Sequence, residues 1–215
     1  MLVEEIMKTN IITISKHTTI KEAMELLHQN KVRHIPVVED NYKIAGIVSD
    51  RDIRDASPSI FHMNEHEEDL NNPASKIMKF PVVTIQPLEF VEEAAVILYE
   101  NDISALPVVN EEDKVVGILT ETDVLHTLVK LTGAHQPSSR IEVQVPNLSG
   151  QLAEISSIFK ENKVNVTSVL VYPNPEPDTK ILTFRVQTMD PRHIIKQIES
   201  KGYEIKWPRI PGINQ

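Results

Sequence analysis

Gly46-Ile47-Val48-Ser49-Asp50-Arg51-Asp52-Ile53 reads as a glycine turn, a short β-branched strand, a hydroxyl residue and, three positions on, a carboxylate in the first turn of a helix. The pattern returns as Gly117-Ile118-Leu119-Thr120-Glu121-Thr122-Asp123-Val124, an offset of 71 residues. A hydroxyl beside free amides at a helix start can donate to phosphate oxygens, and a carboxylate one turn on can accept both hydrogens of a vicinal diol. The plainer reading of the same residues is a helix cap, with Ser49 and Thr120 as N-caps and Asp52 and Asp123 as acids favoured by the helix dipole.

The offset holds outward from this stretch without insertion. Ile6-Met7 matches Ile77-Met78, Thr13 matches Thr84, Asn30 matches Asn101, and His34-Ile35-Pro36-Val37-Val38 matches Ala105-Leu106-Pro107-Val108-Val109. Two copies of one unit follow. In the first, Ile20, Ala23, Met24 and Leu27 fall on one helical face, and Thr19 with Glu22 forms a capping box. Val91, Ala94, Ala95 and Leu98 repeat that face. Each Pro-Val-Val segment reads as a strand opened by proline, followed by a polar turn and the strand of the opening motif. The expected boundaries are a first copy over 1–56, a linker over 57–73 and a second copy over 74–135.

Beyond the linker at 135–139 the pattern changes. Ile141, Val143 and Val145 alternate with polar residues; Pro146 to Gly150 reads as a turn with Ser149 as the helix cap; Leu152, Ile155 and Phe159 mark a helix. Two Val/Ile/Thr-rich strands flank the Pro-rich loop 173–178, a helix begins at Pro191 and stops at Gly202, and Tyr203 to Trp207 closes the unit. The expected order over 138–208 is β-α-β-β-α-β, with a loose tail at 209–215. The fold class expected for the whole chain is α/β of the α+β kind.

Composition narrows the function classes. The chain of 215 residues has no cysteine, which removes thiolate catalysis, disulfides and Cys-based metal sites. No apolar run approaches the roughly 20 residues of a membrane span, and the first residues lack the basic, then apolar, pattern of a secretory signal. A soluble, cytoplasmic protein is expected. Residues 1–135 carry 12 Lys+Arg against 23 Asp+Glu, and 136–215 carry 10 against 8. The acidic larger part argues against binding nucleic acid or an anionic membrane. His62 and His66 have helical spacing for a metal but sit in an acidic linker without helical pattern, so no metal is expected. No arrangement of nucleophile, base and orienting group is recognisable, and no catalytic residue is expected.

The duplicated unit, with its early Met and Thr, its Pro-Val-Val segment and its Gly-h-h-Ser/Thr-x-x-Asp ending, resembles a tandem pair of CBS domains. The third unit resembles an ACT domain, whose ligand turn corresponds to Asn147-Leu148-Ser149-Gly150-Gln151-Leu152. The combination is similar to bacterial acetoin-utilisation proteins of the AcuB type. The resemblance implies a non-enzymatic regulator, a homodimer acting with a protein partner in acetoin or butanediol catabolism, and an adenine nucleotide (AMP, ADP or ATP) as regulatory ligand rather than catalytic cofactor. It points to Thr13, Arg33, His34, Pro36, Ser49, Asp50, Arg51 and Asp52 in the first copy and Thr84, Ser104, Ala105, Pro107, Thr120, Thr122 and Asp123 in the second. Arg33, His34 and Arg51 stand where the second copy has Ser104, Ala105 and Thr122, so the first copy is expected to suit the more highly phosphorylated ligand. His34 is expected either to pack and hydrogen-bond or, as a cation, to face phosphate. A scaffold whose ligand sites have decayed is the alternative. In the ACT-like unit, Gly150 would let the backbone approach a small ligand, and exposed strand edges would invite a second copy.

Overall fold

The computed structural model describes residues 1–56, 67–176 and 178–209, so His62, His66 and the tail beyond Arg209 lie outside the described residues. The chain divides into two compact units, Met1–Leu125 and His126–Gln215.

In the first unit the expected repeat is visible element by element. Copy one runs β1 (Ile14–Ser15), α1 (Ile20–Asn30), β2 (His34–Val38), β3 (Ile44–Ser49) and α2 (Asp50–Ala56). Copy two runs α3 (Val91–Glu100), β4 (Ala105–Val109), β5 (Val115–Thr120) and α4 (Glu121–Thr132), the last helix continuing into the second unit. Thr19 caps α1 as expected: its hydroxyl accepts from the Glu22 amide at 3.1 Å, and Glu22 accepts from the Thr19 amide at 2.8 Å. β2 pairs antiparallel with β3 and β4 with β5 in the same register, His34 opposite Ser49 and Ala105 opposite Thr120. Ile14 pairs in parallel with Val37, and Ile85 with Val108.

The copies exchange their leading segments, which the linear repeat does not reveal. Residues 1–8 pack on copy two: Val3 is fully buried with Leu106 and Leu119, and Lys8 and Ile118 trade backbone hydrogen bonds of 2.9 and 3.0 Å. Residues 72–79 pack on copy one: Ala74 is buried with Ile14 and Ile35, and Lys79 and Ile47 trade bonds of 2.8 and 3.2 Å. Two glycines make room for this. A Cβ on Gly46 would meet Met78 Sδ at 2.5 Å, and one on Gly117 would meet Met7 Sδ, so the Met of each copy lies on the glycine of the other.

The second unit is a four-stranded antiparallel sheet, ordered β7 (Val166–Pro173), β8 (Thr179–Val186), β6 (Ser139–Pro146) and β9 (Glu204–Trp207). α5 (Gln151–Glu161) and α6 (Arg192–Ser200) cover one face. Ile141, Val143 and Val145 point into that core, as their alternation predicts, with Phe159 and Phe184 tilted against each other at 4.8 Å between centroids. This is the expected split βαβ order. β7 is an edge strand, and Val169, Leu170, Val171 and Tyr172 on it are exposed.

Candidate functional site

Strand pairing gathers the first-copy residues at the end of the β2–β3 hairpin. His34 lies opposite Ser49, and the Arg33 carbonyl accepts from the Asp50 amide at 2.9 Å, which launches α2 beside it. Copy two repeats this with Ala105 opposite Thr120 and the Ser104 carbonyl accepting from the Glu121 amide at 3.2 Å. Thr13 and Thr84 directly precede Ile14 and Ile85, which pair with Val37 and Val108. They therefore enter beside the buried Pro36 and Pro107, with β2 or β4 between them and the hydroxyl–carboxylate pair.

The two clusters meet. His34 Nε2 lies 3.0 Å from Ser104 Oγ, and Arg33 Nη2 donates to Thr122 Oγ1 at 3.4 Å. The second contact corrects the expected separation of charge: the Arg33 guanidinium reaches the start of copy two's helix, so its charge is not copy one's alone. Burial, and then the Arg33 guanidinium, lowers the His34 pKa, against the pull of the Asp50, Asp52 and Glu121 carboxylates. The lowered pKa favours a neutral imidazole, hydrogen-bonded to Ser104. Arg51 and Thr122 are exposed in the first turns of α2 and α4, and Asp50 pairs with Arg54 at 3.2 Å.

The hydroxyl–carboxylate pairs close on themselves as caps. Asp52 Oδ2 accepts from the Ser49 amide at 2.9 Å and from its hydroxyl at 2.6 Å, and Asp123 Oδ2 accepts from both groups of Thr120. The other carboxylate oxygen faces a lysine from the opposite copy: Lys79 Nζ lies 3.4 Å from Asp52 Oδ1, and Lys8 Nζ lies 3.4 Å from Asp123 Oδ1. The carboxylates are sheltered, at 11% and 16% side-chain exposure, while Lys79 and Lys8 are 73% and 58% exposed. Reading outward from the Gly-h-h-Ser/Thr motif misses these lysines. The offset of 71 that relates them was the available signal.

In the second unit Gly150, not Ser149, occupies the N-cap of α5, in a left-handed conformation (φ +90°) that a side chain would strain. A Cβ there would meet nothing within 4 Å, so the backbone is open to approach. Asn147 donates its amide to the Asp178 carbonyl at 2.7 Å, Leu148 and Leu152 are exposed, and Gln151 Oε1 is buried without a hydrogen-bond partner among the described residues. Among the described residues no group of three or more His, Asp or Glu is placed to hold a metal. No described helix is long and apolar enough to cross a membrane.

Comparison with known proteins gives this geometry its family. The CBS domain model matches residues 3–59 and 74–130, and the ACT domain model matches 139–202. A CBS domain-containing protein of Dictyostelium discoideum is 32% identical over 143 residues, covering 65% of this chain and 99% of its own length. By contrast, the chain spans 24% of a homoserine O-acetyltransferase of Methanosalsum zhilinae, to which it is 31% identical over 134 residues. Among solved structures, the CBS domain pair of protein MJ0100, in complex with 5′-methylthioadenosine and S-adenosylmethionine, superposes with a TM-score of 0.53 at 28% identity, covering 63% of this chain and 98% of its own. CBSX2 of Arabidopsis thaliana, in complex with AMP, gives 0.52 at 27%, covering 60% and 96%. A chain of Vibrio cholerae named as an acetoin utilization protein, AcuB, gives 0.54 at 28%, covering 65% and 98%. The chain belongs to the CBS-domain family, as a tandem CBS pair followed by an ACT domain.

Proposed function

We propose that this chain is a non-enzymatic cytoplasmic regulator whose CBS pair senses an adenine nucleotide. The observation that carries the reading is the duplicated, sheltered hydroxyl–carboxylate pair, Ser49 with Asp52 and Thr120 with Asp123, at hairpin ends that touch through His34 and Ser104. In similar CBS pairs the ligands are AMP, S-adenosylmethionine and 5′-methylthioadenosine. On this reading Asp52 and Asp123 accept the ribose diol, Ser49 and Thr120 turn to phosphate, and the residues beside Pro36 and Pro107 border the base. Control requires the ligand to favour one arrangement of the chain over another.

The ACT domain supplies the output. Its exposed apolar edge strand β7 is suited to pairing with the same strand of a second copy, giving a homodimer. The open Gly150 turn is suited to a small carboxylate ligand. Likeness to the Vibrio cholerae chain supports a role in acetoin or butanediol catabolism, exerted on a protein partner.

A second reading, a scaffold with decayed ligand sites, is favoured by the caps themselves, since both carboxylates already have partners inside the fold. Calorimetric titration of AMP, ADP, ATP, NADH and S-adenosylmethionine into the full chain separates the two. Saturable heat with at least one of them supports the sensor. Silence with all five leaves the scaffold.

A further inference from the structure

Lys8 and Lys79 are not ordinary surface lysines. Each is bolted to the opposite copy by two backbone hydrogen bonds, at Ile118 and Ile47, two residues before the hydroxyl of that copy's motif. The preceding Met7 or Met78 lies on a glycine of the same opposite copy. The backbone of each lysine is thus fixed beside the carboxylate, while its ammonium stays in solvent at the rim.

We propose that Lys8 and Lys79 select for phosphate at the two CBS sites, each lysine serving the site of the copy it does not belong to. The inference rests on the adenosine reading above and adds the charge of the ligand. The ammonium and the Ser49 or Thr120 hydroxyl both serve the carboxylate. On this reading a ribose diol donating to that carboxylate competes with both groups for its oxygens and makes a cation and a donor available to the ligand's 5′ substituent. The released ammonium forms a charge-assisted hydrogen bond to a phosphate and repels a sulfonium. Asp50 and Glu121 directly follow Ser49 and Thr120 and open α2 and α4, and their carboxylates would disfavour an anion without such a cation. Copy two receives Lys8 together with the reach of Arg33, and copy one receives Lys79 and has its own Arg51 in the first turn of α2, so both copies carry cationic charge near the carboxylate.

The test is calorimetry of AMP, adenosine and S-adenosylmethionine against wild type, Lys8→Met, Lys79→Met and the double variant. Adenosine lacks the phosphate, so its affinity reports whether the diol site remains intact in each variant. AMP affinity relative to adenosine is expected to fall about tenfold at the site whose lysine is lost, as for one charge-assisted hydrogen bond. Lys8→Arg and Lys79→Arg should keep the preference for AMP. An AMP-to-adenosine ratio unchanged in the double variant, or a wild type that takes S-adenosylmethionine in preference to AMP, overturns the inference and leaves the adenosine reading standing. Absence of binding by all three compounds overturns the inference, and silence with ADP, ATP and NADH as well overturns the adenosine reading.

Discussion

Copy one carries Arg33, His34 and Arg51 where copy two carries Ser104, Ala105 and Thr122, yet both keep the glycine, the methionine, the lysine and the hydroxyl–carboxylate pair. The retained residues are the ones each copy lends to or receives from the other: Met7 on Gly117, Met78 on Gly46, Lys8 at Asp123 and Lys79 at Asp52. The differing residues face each other at the hairpin ends, His34 toward Ser104 and Arg33 toward Thr122. Exchange constrains both copies at once, because a change in one framework residue alters the fit of the other copy. Residues at the meeting of the two hairpins are free to diverge, and their divergence supplies the His34–Ser104 contact that two identical copies would not make.

If the copies are equal partners in the framework, equivalent core deletions should cost alike. Ile35→Ala and Leu106→Ala remove fully buried side chains at corresponding positions, and each is expected to lose about 2–5 kcal/mol in chemical denaturation. A large loss at one and none at the other would break the equivalence. Gly46→Ala and Gly117→Ala press a methyl into the partner methionine and should each cost about 1–3 kcal/mol. Shortening that methionine in the same chain, as Met78→Ala or Met7→Ala, should make the glycine substitution cheaper than it is alone, a coupling readable in a double-mutant cycle. Strict additivity would contradict the exchanged packing.

The smallest effect sharpens the difference between the copies. His34 is held below its ordinary pKa of 6.5, so between the folded value and 6.5 the unfolded chain binds the extra proton. The contribution is full above pH 6.5 and is lost as the pH falls through 6.5 toward the folded value. His34→Ala, which makes copy one resemble copy two at this position, should flatten that part of the stability profile by less than about 1 kcal/mol, since the ring is only partly buried and solvent screens it. A variant profile steeper than wild type below pH 6.5 would contradict the assignment.

Much of this was legible in the sequence because it is local or periodic. The offset of 71 holds from Ile6 to Asp123, and Thr19–Glu22, the Pro-Val-Val strands and the alternation at Ile141, Val143 and Val145 each carry their own structural signal. The exchange was not legible, since the offset aligns Met7 with Met78 but says nothing about which copy each touches. That choice is made by long-range pairing, such as Lys8 with Ile118. Linear order gives the charge of Arg33 to its own copy, because it does not carry a side chain's reach to Thr122. Ser149 has the residue type of a helix cap, yet the left-handed backbone at Gly150 places the cap one residue later.

The central claim, that each sheltered carboxylate receives a ribose, is tested most directly by titrating AMP into wild type, Asp52→Asn and Asp123→Asn. Asparagine keeps an acceptor for the cap but cannot take both diol hydrogens without presenting a donor of its own. Each single variant is expected to lose binding at one site and retain it at the other. AMP binding unchanged in both variants would contradict the account.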